Sequence, residues 1–169
     1  MKKFSVLFAL LLIPALFLAS CEGKKAEKEF IPVKSFSLHM TATKDKKALE
    51  ADIICLNSED ITLDFTSPQE LSGFSLKTDQ NGYKASIFGI EDEITEREIN
   101  SASLINVLIK AIKLSAFTNH GLFIKEEGFY SAYLTVDGIP VTVFFSEEGF
   151  LQKITSDSLN FSAQFEISG

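Results

Sequence analysis

Residues 100–116 read NSASLINVLIKAIKLSA, and this stretch decides the fold. It carries the one long helical period in the chain. On a helical wheel, Ser103, Asn106, Lys110 and Lys113 share an arc of about 80°. Leu104, Ile105, Val107, Leu108, Ile109, Ala111, Ile112 and Leu114 spread over roughly 220°. A helix lying on a surface buries a stripe nearer ~100° to ~150°. The spacing therefore predicts a helix enclosed on more than one side.

What encloses it is written on either side, in runs that alternate with period two. Phe36, Leu38, Met40 and Ala42 oppose Ser37, His39, Thr41 and Thr43. Leu49, Ala51, Ile53 and Cys55 follow a turn at Lys44 to Lys47. Ile61, Leu63 and Phe65 form a third run, and Pro68 to Gly73 reads as a short turn. Phe74 and Leu76 open a fourth run, Asn81-Gly82 marks a tight turn, and Tyr83 to Ile90 returns, with Phe88 and Ile90 read in outward phase. After the helix and Asn119-His120-Gly121, Phe129 to Val136, Asp137-Gly138 and Ile139 to Ser146 form the clearest hairpin. Glu148-Gly149 turns into Phe150 to Thr155. Leu159 to Ile167 closes the series.

About nine antiparallel strands at ~4.8 Å spacing would span ~40 Å if flat. A helix of ~17 residues is ~25 Å long and ~10 Å across, too small to roof such a sheet. The sheet must curl around it. The expected class is α+β, mostly β: a strongly curved antiparallel sheet, an open half-barrel, around one main α-helix.

The N-terminus says where such a domain works. Met1-Lys2-Lys3 is a positive start, Phe4 to Leu18 is an apolar run broken by Pro14, and Leu18-Ala19-Ser20-Cys21 completes a lipobox. About 15 apolar residues fall short of the ~20 that cross a bilayer. Only a thiol at this place can carry a thioether-linked diacylglycerol, so Cys21 is the expected lipidation site. One acyl chain holds a protein marginally and two or more hold it stably. The predicted organisation is a signal peptide at 1–20, the lipidated Cys21 and a charged tether at 21–33, and a single domain at 34–169. The pattern resembles bacterial lipoproteins, whose processing implies a mature chain starting at Cys21, acylated there with diacylglycerol and a palmitate-like chain. It would be an extracytoplasmic, lipid-anchored protein of the cell envelope: on the outer face of the plasma membrane, or at the periplasm and outer membrane of a two-membrane cell. Glu22, in place of the Asp that resembles an inner-membrane retention signal, leans towards the outer membrane.

Removing the 20-residue leader from 169 leaves 149 residues, enough for one domain with a sizeable core. The leader holds Lys2 and Lys3, so 14 basic against 23 acidic residues leave a mature net charge of −9. That charge repels phosphate backbones and excludes nucleic acid as a partner. Cys55 is the only cysteine besides Cys21, which rules out an internal disulfide once Cys21 is acylated. Its register with Leu49, Ala51 and Ile53 predicts a buried, inert thiol.

No residue pattern nominates a catalyst, a metal or a further cofactor. His39 and His120 are the only histidines, and HExxH, CxxC and G-x-S-x-G are absent. Asp79-Gln80-Asn81-Gly82 lacks the Glu that a calcium loop needs at its twelfth position, where Ile90 stands. Glu91, Asp92, Glu93, Glu96 and Glu98 read as a solvated connector.

Of 16 phenylalanines, Phe4, Phe8 and Phe17 lie in the leader and 13 remain to fill the concave interior. Either the interior is solid, or it keeps a cavity for an acyl chain or another apolar ligand. Both readings demand the same inward residues. Leu104, Leu108, Ile112, Phe36, Leu38, Phe65, Phe161 and Phe165 are the expected ligand-facing set. In the solid reading the chain is a lipid-anchored structural or interaction module, engaging another envelope protein through Phe88, Ile90, Phe144 and Leu151 in outward phase.

A lipidated N-terminus, alternating strands, one embedded helix, the hairpin Val136-Asp137-Gly138-Ile139-Pro140 and then Gly149-Phe150-Leu151-Gln152-Lys153-Ile154 are similar to the lipoprotein-carrier superfamily of LolA-, LolB- and LppX-like proteins. The likeness covers roughly Lys34 to Ile167. It implies a half-barrel with a helical lid, non-enzymatic, with a cavity for lipid or lipoprotein acyl chains. This chain departs from the pattern in being shorter and in having one long helix where several usually line the cavity.

Overall fold

The structure is a computed structural model and describes residues 30–79, 82–94, 103–117 and 123–167. The leader, the lipobox, Asn81, Glu96, Glu98, residues 100–102 and Asn119-His120-Gly121 lie outside the described residues. Eleven strands form one antiparallel sheet. They are β1 (Phe36–Lys44), β2 (Lys47–Cys55), β3 (Ile61–Ser67), β4 (Phe74–Asp79), β5 (Gly82–Ile87), β6 (Ile90–Ile94), β7 (Phe123–Glu126), β8 (Phe129–Val136), β9 (Ile139–Ser146), β10 (Leu151–Ser156) and β11 (Phe161–Ile167). The single described α-helix, α1, spans Leu104–Phe117.

The first strand pairs with the last, and two limbs grow from that centre. One runs outward as β2, β3, β4, β5 and β6; the other as β10, β9, β8 and β7. Each step is a meander between sequence neighbours, so loops stay short. Edges β6 and β7 do not pair with each other, and the half-barrel is open.

Turn chemistry sets the registers. Asp45 and Lys46, with φ of 51° and 66°, link β1 to β2, and Asp137 and Gly138, at 50° and 82°, link β8 to β9. Positive φ at both central residues is the twist that suits a two-residue hairpin. A third such hairpin joins β5 to β6 through Phe88 and Gly89, at 51° and 81°. Phenylalanine there lacks the usual Asn, Asp or Gly signal, so the sequence reads on past it.

Four details correct the sequence reading. The described strands number eleven rather than nine, because β6 and β7 are only five and four residues long. Glu91, Asp92 and Glu93 are not a connector: they lie in β6, exposed along a sheet edge. Charge on an edge strand discourages pairing with other chains. Ile90 is not in outward phase, since it pairs with Ile87 in the inward row of Tyr83 and Ala85. Leu151 is buried on the inner face opposite Phe145, because the register shifts between Leu151 and Lys153.

The helix begins where Ser103 caps it, its Oγ accepting the Asn106 N–H at 3.2 Å. Val107, Leu108, Ile109, Ala111, Ile112, Ser115 and Ala116 are buried. They cover roughly 200° of the wheel at ~100° per residue. Two positions differ from expectation. Asn106, assigned to the polar arc, is fully buried, and Leu114 is exposed. The inner faces of both limbs and the helix make one continuous core. Each fully buried aliphatic side chain contributes ~1.5–3 kcal/mol.

Candidate functional site: a concave apolar face under one helix

The candidate site is the inner face of the sheet. Phe36, Leu38, Phe65, Phe161, Phe165, Leu108 and Ile112 are all buried in a single cluster, and Leu104 packs against it half-buried. Alternation explains this meeting. β1 supplies Phe36 and Leu38, its partner β11 supplies Phe161 and Phe165, and β3 supplies Phe65. Phe65 meets Phe74 of β4 with ring centres 5.5 Å apart.

α1 lies closest to β8 and β9. At 14 residues and ~1.5 Å rise it is ~21 Å long. Eleven strands at ~4.8 Å spacing amount to ~48 Å of sheet. A polar tie fixes the helix to both limbs. The Tyr83 hydroxyl of β5 donates to Asn106 Oδ1 at 3.1 Å. Asn106 Nδ2 donates to Asp137 Oδ2 at 3.3 Å, and Lys110 Nζ donates to the same oxygen at 2.7 Å. A buried amide must be hydrogen-bonded or it destabilises the fold, and this one bonds a strand of one limb and a hairpin turn of the other. The sequence reading missed it. The available signal was a lone Asn inside a Leu/Ile run, beside an Asp that the hairpin turn already accounted for.

At the β7–β9 end a different cover is present. Phe30 stacks on Tyr130 at 3.9 Å and meets Phe123 edge-on at 4.7 Å. Val33 N–H donates to the Gly149 carbonyl at 2.8 Å. Gly149, with φ of 91°, has no side chain where a Cβ would stand 2.7 Å from the Ile31 carbonyl oxygen. These residues fall at the domain end of the stretch read as tether.

At the far end of the other limb the inner row emerges. Ile87 is 47% exposed, Ile90 74% and the turn residue Phe88 82%. Phe144 is half-buried on the outer face, eight strands from β6 in the sheet, beside Phe129 and Lys153. The four residues expected to form one outward patch are therefore apart. The hollow of about 400 Å³ that Phe129, Phe144 and Lys153 help to line is shallow and open.

Cys55 is buried, and its thiol is pushed up to about 11, first by burial and then by the nearby Asp60 carboxylate, against a smaller opposing effect of Lys113. A neutral thiol is a poor nucleophile. His39 accepts or donates one hydrogen bond, at 2.8 Å to Asp52 across the β1–β2 pair on the outer face. Among the described residues, no three His, Cys, Asp or Glu side chains come together as a metal set. No described helix is long and apolar enough to cross a membrane.

No protein-family model and no curated protein matches this chain. Solved structures do. A LolA superfamily protein from Nitrosomonas europaea matches with a TM-score of 0.40 at 10% identity, over 82% of this chain and 87% of that one. A putative outer membrane lipoprotein-sorting protein domain from Vibrio parahaemolyticus matches with a TM-score of 0.34 at 12% identity, over 79% and 82%.

Proposed function

We propose that this chain is a non-enzymatic envelope lipoprotein that binds or carries an apolar ligand, a lipid or acyl chain, between α1 and the concave face of the sheet. It would be held at the membrane by diacylglycerol and acyl chains on Cys21, with the tether between bilayer and domain. The observation that carries this reading is the mismatch of cover and surface. The inner face is apolar across both limbs and buried from β1 to β3, yet the one described helix, ~21 Å long, lies closest to β8 and β9, and the inward row runs out to exposed Ile87 and Ile90. Leu104, Leu108 and Ile112 on the helix, facing Phe36, Leu38, Phe65, Phe161 and Phe165 on the sheet, are the proposed ligand contacts. The ligand would lodge between these two sets, within the one buried cluster they share, which requires α1 to shift.

Native mass spectrometry of the purified chain, followed by lipid extraction, tests this. A bound acyl ligand near one per chain supports the reading. A bare mass that takes up no added fatty acid or phospholipid contradicts it.

A second reading, a lipid-anchored interaction module with a solid core, draws on one feature: the exposed Ile87, Phe88 and Ile90 on an edge hairpin. Alanine at all three, with capture of an envelope partner unchanged, would count against it.

A further inference from the structure

Phe123 of β7, Tyr130 of β8 and Phe145 of β9 stand on the inner face of three neighbouring strands and form an aromatic cradle. Phe123 and Phe145 meet edge-on at 5.6 Å. The ring that fills the cradle comes from outside the sheet. Phe30 lies nearly parallel to Tyr130, with an interplanar angle of 19°, and turns its edge to Phe145 at 5.8 Å. It is the first residue after a charged stretch, EGKKAEKE at 22–29, and it belongs to no strand.

The segment from Phe30 to Val33 is held lightly. Among the described residues, one backbone–backbone hydrogen bond, Val33 to Gly149, ties it down. Pro32 is buried and Ile31 is exposed. Phe30 and Val33 pack against the core, but a segment outside the strand ladder, with so few backbone hydrogen bonds, opens at lower free energy than the ladder beside it. Helix and strap share the same strands: α1 lies closest to β8 and β9, which also carry Tyr130 and Phe145.

We infer that this cradle is a subsite for the apolar ligand, and that Phe30 is its displaceable occupant in cis. The inference rests on the ligand-binding reading above. A ligand's acyl segment takes the cradle by expelling Phe30, because both cannot lie against Tyr130 at van der Waals distance. Loss of Phe30 from the cradle frees Phe30 to Val33 and adds four residues to the tether, ~13 Å of reach at ~3.3 Å per residue. Loading is thereby coupled to how far the domain can stand from its anchor. An occupant in cis also weakens apparent affinity by the fraction of time the site is free.

The test titrates oleate into the full chain held in amphipol and follows trypsin cleavage after Lys34, which adjoins the strap. Phe30→Ala is expected to bind oleate about tenfold more tightly, the gain for a strap docked about nine-tenths of the time. Oleate is also expected to accelerate cleavage of the unaltered chain. Val33→Pro removes the donor to Gly149, spares the rings, and should shift affinity the same way if Phe30→Ala fails to fold. Equal oleate affinity in all three chains overturns the cradle while leaving ligand binding intact. Oleate binding to none of them overturns the ligand reading itself, and the cradle with it.

Discussion

Val136 of β8 and Ile87 of β5 occupy similar places: each is the last residue of the strand next to a sheet edge, facing inward beside a two-residue turn. Val136 is buried and Ile87 is half exposed. Alternation is the same on both limbs, so pattern does not make this difference. Cover does. The β7–β10 limb has α1 over it and Phe30 inserted into it; the β2–β6 limb ends in a hairpin whose apolar residues reach solvent. An inward phase states which way a side chain points. Whether it is buried depends on what the rest of the chain brings to that face.

Paired substitutions sharpen the contrast. Ile154→Ala, on the covered limb, should destabilise by ~2–5 kcal/mol in a urea titration. Ile90→Ala, inward in phase but exposed, should change stability by no more than ~0.5 kcal/mol. Similar losses at both would break the distinction between a covered and an uncovered inward position.

Asn106→Ala removes the group that joins Tyr83 on one limb to Asp137 on the other. A loss of ~1–3 kcal/mol is expected in the same titration. Asn106→Ala with unaltered stability would mean that the helix is held by apolar packing alone.

Two glycines with nearly equal φ isolate the docked segment. Gly128, at 84°, has no atom near its missing Cβ; Gly149, at 91°, has the Ile31 carbonyl oxygen at 2.7 Å. Alanine at Gly128 should cost ~1–2 kcal/mol for left-handed backbone. Alanine at Gly149 should cost more, since backbone must also move. Equal melting temperatures for the two variants would show that the strap does not lie against Gly149.

The smallest effect is a pH dependence. Burial raises the Cys55 thiol from 9.0 to about 11, so the unfolded chain loses this proton first. The contribution of Cys55 is complete below about pH 9 and falls away as pH rises towards 11. Between those values the melting temperature of Cys55→Ala should fall less steeply than that of the unaltered chain. Parallel slopes would contradict a raised thiol.

Most of the sheet was legible because its strands alternate strictly and its Asp-Gly hairpin carries an unmistakable turn signal. The curl followed from dimensions, one helix against many strands. β6 and β7 were hidden because an edge strand carries charge, and Glu-Asp-Glu looks the same in an edge strand as in a loop. The Phe88-Gly89 hairpin was hidden because phenylalanine is a rare choice for left-handed backbone. The inward set from Leu104 to Phe165 was legible residue by residue. Asn106 and Phe30 were not, because their partners are distant in sequence: Tyr83 and Asp137 for one, Tyr130 for the other.

Hydrogen–deuterium exchange with and without saturating oleate tests the central claim most directly. If the concave face receives the ligand, exchange should change in α1 and along β1, β3 and β11, which carry the proposed contacts, and stay constant at residues 87–90. A change confined to residues 87–90, with α1 silent, would place binding on the exposed hairpin and contradict a ligand beneath the helix.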